Sequence, residues 1–131
     1  MTGVQTCALP IYTDAAFKNG KSAAGILIVK NGQQFQQKFA LNEKDNHAAE
    51  FAAAAKGFEQ IKKIAQENEA IFFYTDSKIV FDSLSKHYSK SYQEQLARLE
   101  ETIRPFSLMI PNHISDKENR GAHELALQAL H

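Results

Sequence analysis

The sequence predicts an α/β fold: a five-stranded mixed sheet, three antiparallel strands followed by parallel strands, flanked by helices. Three observations carry this. Asn19-Gly20 and Asn31-Gly32 each sit between apolar or alternating runs, the strongest short-range signal for a tight hairpin. Beyond residue 46, short apolar runs alternate with stretches of helical periodicity, which calls for crossover connections and parallel pairing. The whole chain is 131 residues, 44% apolar and 23% charged, enough for one globular domain and too little for a second core.

Tyr12–Phe17, Ala23–Lys30 and Gln33–Ala40 read as the three strands of a meander. Gly25-Ile-Leu-Ile-Val29 is apolar throughout, as a central strand would be, whereas Phe35 and Phe39 alternate with glutamines in the third, as expected for one buried and one wet face. A helix follows from about His47 to Gln66, because Phe51, Ala54, Phe58, Ile61 and Ala65 recur at helical spacing opposite Lys56, Glu59, Lys62 and Lys63. Ala70–Thr75 reads as a buried strand, and a helix just after Asp76 turns Ile79, Val80 and Leu84 inward. Lys86–Lys90 is polar and loop-like, a third helix spans about Tyr92 to Ile103, and Pro105 disfavours helix at Arg104. Phe106–Ile110 is expected to be the last strand and Asn119–Leu130 the last helix, burying Ala122, Leu125, Ala126 and Ala129.

Fifteen Lys plus Arg balance fifteen Asp plus Glu, which excludes binding to nucleic acid through bulk charge. One cysteine cannot make an internal disulfide or a multi-cysteine metal site, and no apolar run approaches the ~20 residues that span a bilayer. The expectation is a reduced, soluble, cytoplasmic monomer without membrane association. The first eleven residues, MTGVQTCALPI, differ from the rest: they carry no charge and the single cysteine, and lack the basic start of a targeting signal. Read as codons they resemble a translated sequencing adapter, so residues 1–11 are expected to be an artefactual leader and 12–131 the domain.

Strand order in such a sheet brings the first strand beside the later parallel ones, and ligands bind beyond the carboxyl ends where that order reverses. Asp14 falls near the end of the first strand and Asp76 directly after the fourth. Glu50 opens the long helix among Ala49, Ala53, Ala54 and Gly57, small residues that let the helix approach the sheet. Each acid alone has an ordinary reading, Asp76 as a helix cap, Glu50 as a helix-dipole partner and Asp14 as a turn residue. Their joint placement at one strand-end cleft points instead to a cation bound by oxygen ligands, Mg²⁺ or Mn²⁺.

Tyr-Thr-Asp14-Ala-Ala, Asn46-His-Ala-Ala-Glu50-Phe, Phe-Tyr-Thr-Asp76-Ser-Lys and Asn119-Arg-Gly-Ala-His123-Glu-Leu-Ala resemble, in order and separation, the four motifs of type I ribonuclease H. The resemblance covers Tyr12 to His131 and is closest to short bacterial ribonuclease H-like proteins often labelled reverse-transcriptase-like. It implies the ribonuclease H-like fold, two divalent metals, and endonucleolytic cleavage of the RNA strand of an RNA–DNA hybrid to give 5′-phosphate and 3′-hydroxyl ends. Asp14 would bridge both metals, Asp76 would hold the nucleophile-side ion and Glu50 the other. Asn46, His47, Ser77, Lys78 and Asn119 match positions expected to contact the hybrid, whose ribose 2′-hydroxyls distinguish it from DNA; Asn46 is equally suited to capping the helix.

The fourth ligand departs from the family pattern, which has Asp where this chain has His123. Imidazole can ligate, yet it is neutral and softer, so it suits Mn²⁺ better than Mg²⁺. His113, ten positions earlier, matches a mobile proton-handling histidine of some relatives, but packing at a strand end is the favoured reading. His87 beside Lys86 and Lys90 could touch a phosphate backbone. Two alternatives stay open: a catalytically weak or silent nucleic-acid-binding domain of the same fold, and a related nuclease acting on DNA.

Overall fold

The computed structural model describes residues 8–66 and 68–130. Its five strands form one sheet in the order β3-β2-β1-β4-β5. β1 (Ala8–Lys18), β2 (Lys21–Lys30) and β3 (Gln33–Leu41) make the antiparallel meander, while β4 (Ala70–Thr75) and β5 (Met109–His113) run parallel to β1. At both hairpins, Asn and Gly take positive φ, 55° and 74° at Asn19-Gly20 and 54° and 76° at Asn31-Gly32, which is the type I′ turn that matches strand twist.

The helices are α1 (Asn46–Lys62), α2 (Lys78–Lys86), α3 (Gln93–Ile103) and α4 (Arg120–Ala129), the last preceded by a 3-10 turn at Lys117–Asn119. α1 buries Phe51, Phe58 and Ile61 against Ile11, Ile26, Ile28, Ile71 and Phe73, with Val80 and Leu84 of α2 and Leu96 and Leu99 of α3 completing the core. Gly57 lets α1 lie close on β1: a Cβ there would meet Thr13 Cγ2 at 2.7 Å. Successive residues of a strand face opposite ways, so α1 covers the face of Ile11 and Thr13. α4 covers the other face over Gly25, where an added Cβ would stand 1.9 Å from the Ala122 carbonyl oxygen.

Boundaries differ from expectation where local chemistry intervenes. β5 starts at Met109, not Phe106, because the Phe106 N–H closes a turn on Ile103 O at 2.9 Å and its ring packs on Phe58 at 6.0 Å. Pro111 is tolerated in β5 because that strand is the sheet edge. α1 ends at Lys62 rather than Gln66, since the following backbone turns back and Glu69 Oε1 accepts from the Gln66 N–H at 2.6 Å. β1 begins at Ala8, so Ala8–Ile11 of the segment expected to be foreign forms the upstream part of the central strand. Residues 1–7 of that segment lie outside the described residues.

Candidate active site

β1 pairs with β4 only as far as Tyr12↔Tyr74 but stays paired with β2 to Lys18↔Lys21. Beyond Tyr12 the β4 side of β1 is therefore vacated, and its backbone groups need other partners. Glu50 supplies one: its Oε1 accepts from the Ala15 N–H at 2.9 Å. Asn119 supplies another, its Nδ2 donating to Thr13 O at 2.8 Å. The divergence of β1 and β4 thus opens the site and draws α1 and the start of α4 toward it.

Asp14, Glu50 and Asp76 converge there, each offering an oxygen within 4.8 Å of the others. Asp14 is 5% exposed, and Glu50 and Asp76 are half-buried. Burial first, then the neighbouring carboxylates, pushes Glu50 up to about 9. Burial and the Asp76 charge push Asp14 up to about 6 against the opposing pull of His123. Burial also raises Asp76. Three carboxylates that resist ionising together form a donor set that a hard divalent cation would complete, offsetting both the desolvation and the repulsion; the residues present fit such an ion.

His123, on α4, places Nδ1 2.8 Å from Asp14 Oδ2. It reaches Asp14 because Asp14 and Gly25 are register partners and α4 rests on Gly25. Sequence reasoning missed Gly25; an isolated glycine inside an apolar strand, where a backbone approaches closely, was the available signal.

The acids line an open cleft of about 640 Å³ together with Asn46, His47, Ser77 and Lys78. Asn46 and His47 are exposed on its wall, and the α1 cap is not Asn46 but Asp45, which accepts from the His47 and Ala48 N–H groups. Asp76 is likewise no cap: Ser77 caps α2 and accepts from Val80 N–H at 3.3 Å, so its hydroxyl is committed and the residue is 8% exposed. Asn119, expected at the substrate, is 1% exposed and sits beneath the cleft instead. Asp116, Lys117, Arg120 and Glu124 also line it; nothing in their spacing had marked them. His113 ends β5, stacks on Phe81 at 5.7 Å and lies 3.3 Å from Asp76 O, outside the cleft lining. His87, left-handed at φ 55°, pairs with Glu100 at 2.8 Å.

A mixed sheet that aims three acids from β1, α1 and the end of β4 into one open cleft defines an α/β protein with a site suited to cation-assisted hydrolysis. The sequence model of RNase H matches residues 7–131, and the chain belongs to the RNase H family of nuclease hydrolases. "Putative hydrolase EbsB" of Enterococcus faecalis is 34% identical over 128 residues, 93% of each chain. Among solved structures, RNase H1 of Halobacterium salinarum superimposes with TM-score 0.85 at 21% identity, covering 94% of this chain and 97% of that one. The N-terminal RNase H domain of Rv2228c from Mycobacterium tuberculosis gives 0.84 at 16% identity, covering 95% and 94%. LC11-RNase H1, solved in complex with an RNA/DNA hybrid, gives 0.81 at 19% identity, covering 93% and 96%. Among the described residues no helix is long and apolar enough to cross a membrane.

Proposed function

We propose that this protein is an endoribonuclease that cleaves the RNA strand of RNA–DNA hybrids, leaving 5′-phosphate and 3′-hydroxyl ends. The observation that carries the reading is the convergence of Asp14, Glu50 and Asp76 within 4.8 Å in a chain of the RNase H family. The hybrid bound by LC11-RNase H1, which shares the fold, supports the choice of substrate.

Two Mg²⁺ or Mn²⁺ ions would be held by Asp14, Glu50, Asp76 and His123, supplying an activated water and charge stabilisation at the leaving 3′ oxygen. The chain's own residues prepare the rest. The Ala15 N–H fixes Glu50 and the His123 imidazole fixes Asp14, so the carboxylates are aimed before substrate arrives. Lys78, Lys117 and Arg120 put positive charge on the cleft rim, where a phosphodiester is drawn toward an otherwise acidic site. Asn46 and His47, exposed on the wall at the start of α1, would contact 2′-hydroxyls across the minor groove of an A-like duplex.

A cleavage assay on a labelled hybrid, its all-DNA counterpart and single-stranded RNA, in Mg²⁺ and in Mn²⁺, tests the reading. Hybrid-specific cutting by the wild type that is lost in Asp76→Asn is expected. Hybrid binding with no cutting in either metal would establish the silent binding domain, and cutting of the DNA duplex would establish the DNA nuclease.

A further inference from the structure

Asn119 is 1% exposed, yet it is joined to the site from below. Its Nδ2 donates to Thr13 O at 2.8 Å, the carbonyl immediately before Asp14. That bond takes up a β1 carbonyl that lies beyond the last β1–β4 pair, Tyr12↔Tyr74, and so has no strand partner on that side. Among the described residues nothing donates to the Asn119 Oδ1, so the bond to Thr13 O is the one that fixes the amide. Asn119 also sits at the start of α4, four residues before His123, and therefore sets where that imidazole meets Asp14.

We infer that Asn119 is a positioning residue for the acidic centre: its amide ties the start of α4 to β1 at the carbonyl before Asp14 and so fixes where His123 meets Asp14. The inference deepens the proposed function and rests on that reading. It assigns Asn119 no contact with substrate, so its loss acts on turnover and cation affinity rather than on hybrid binding.

The test uses the full chain with Asn119→Ala and the near-isosteric Asn119→Asp, alongside the core variants Ile61→Val and Ile61→Ala, which bracket the loss in Tm at a site remote from the acids. Cleavage constants on the hybrid and the Kd for Mn²⁺ alone, by calorimetry, are measured for each. The expected result for Asn119→Ala is kcat lower and Mn²⁺ Kd higher by about tenfold or more, the scale for residues that orient metal ligands, with KM within about twofold of the wild type. Asn119→Asp is expected to be worse despite its size, because a carboxylate cannot donate to Thr13 O and repels Asp76. If kcat and Mn²⁺ affinity merely follow Tm as they do in the Ile61 variants, or if KM rises at constant kcat, the inference is overturned.

A second measurement separates this from failure of the functional reading. In the metal-free wild type, the buried side-chain amide of Asn119 is expected to exchange slowly with solvent by NMR. Fast exchange overturns the tie to Thr13 even in an active enzyme, whereas slow exchange with no cleavage overturns only the assigned reaction.

Discussion

The Nδ1 of His123 lies 2.8 Å from Oδ2 of Asp14, joining a half-exposed imidazole on α4 to the most buried of the three acids. The contact makes His123 a partner of a metal ligand as well as a candidate ligand itself, and it replaces a fourth negative charge with a neutral or positive group. A softer, less charged donor set favours Mn²⁺ over Mg²⁺. Hybrid cleavage is therefore expected to be stronger in Mn²⁺ at saturation of each metal, and His123→Asp to narrow that ratio by on the order of tenfold, the scale for groups that orient metal ligands. Equal or better rates for the wild type in Mg²⁺ would sink the argument.

The fold and the three acids were legible because their signals are local. Asn-Gly turns, helical spacing from Phe51 to Ile61 and the placement of Asp76 directly after a strand each need only a few neighbouring residues; Asp14, expected near the end of the first strand, lies inside β1, past its last pair with β4. What was not legible depends on contacts between distant segments. Asn119 reads as a polar residue in a motif, yet its amide meets Thr13 across 106 residues. Gly25 reads as a weak point in an apolar strand until α4 is laid over it. The helices are capped by Asp45 and Ser77 and not by the neighbouring Asn46 and Asp76, since which of two adjacent polar residues caps a helix is decided by backbone conformation at the boundary.

The raised carboxyls make stability depend on pH. Asp14 at about 6 and Glu50 at about 9 lie above the values of an unfolded chain, so between about pH 4 and 9 the metal-free folded state binds more protons than the unfolded one. Stability of the metal-free protein must then fall as pH rises through that window. Melting temperatures in EDTA are expected to decline from pH 5 to pH 9, and saturating Mn²⁺ to flatten or reverse the trend, because the cation replaces the protons. Glu50→Gln is expected to remove much of the decline. A melting temperature in EDTA that rises over the same range contradicts this account.

Gly25 tests how α4 is held. A methyl group there would sit 1.9 Å from Ala122 O and 2.6 Å from Ala126 N, and neither backbone atom can yield without moving the helix. Gly25→Ala is expected to cost on the order of 3 kcal/mol or more, in the range of strong core disruption, and to displace His123 from Asp14. Urea denaturation gives the first quantity. The second is read from the loss of Mn²⁺ affinity in whatever fraction remains folded. A Gly25→Ala protein as stable as the wild type would show that α4 is less firmly seated on β2 than its packing implies.

Pro10 lies inside the central strand, opposite Phe72 of β4. Pairing of β1 with β2 begins only at Ile11↔Ile28, one residue later, whereas pairing with β4 extends back to Ala8↔Ala70. The Ala15 N–H and Thr13 O point to the β4 side, and alternation along the strand then turns the nitrogen of Pro10 toward β2, where a proline has no hydrogen to donate. A central strand is the wrong place for such a gap, and the gap falls within the eleven-residue segment whose composition sets it apart. Pro10→Val restores the donor and adds a residue suited to strands, so it is expected to stabilise the protein by about 1 kcal/mol, the usual value of one hydrogen bond. Replacing the whole segment Ala8–Ile11 with alternating β-branched residues should gain more. Chemical denaturation of the three proteins side by side decides the matter: if they unfold at the same midpoint, the missing donor at Pro10 costs the central strand nothing.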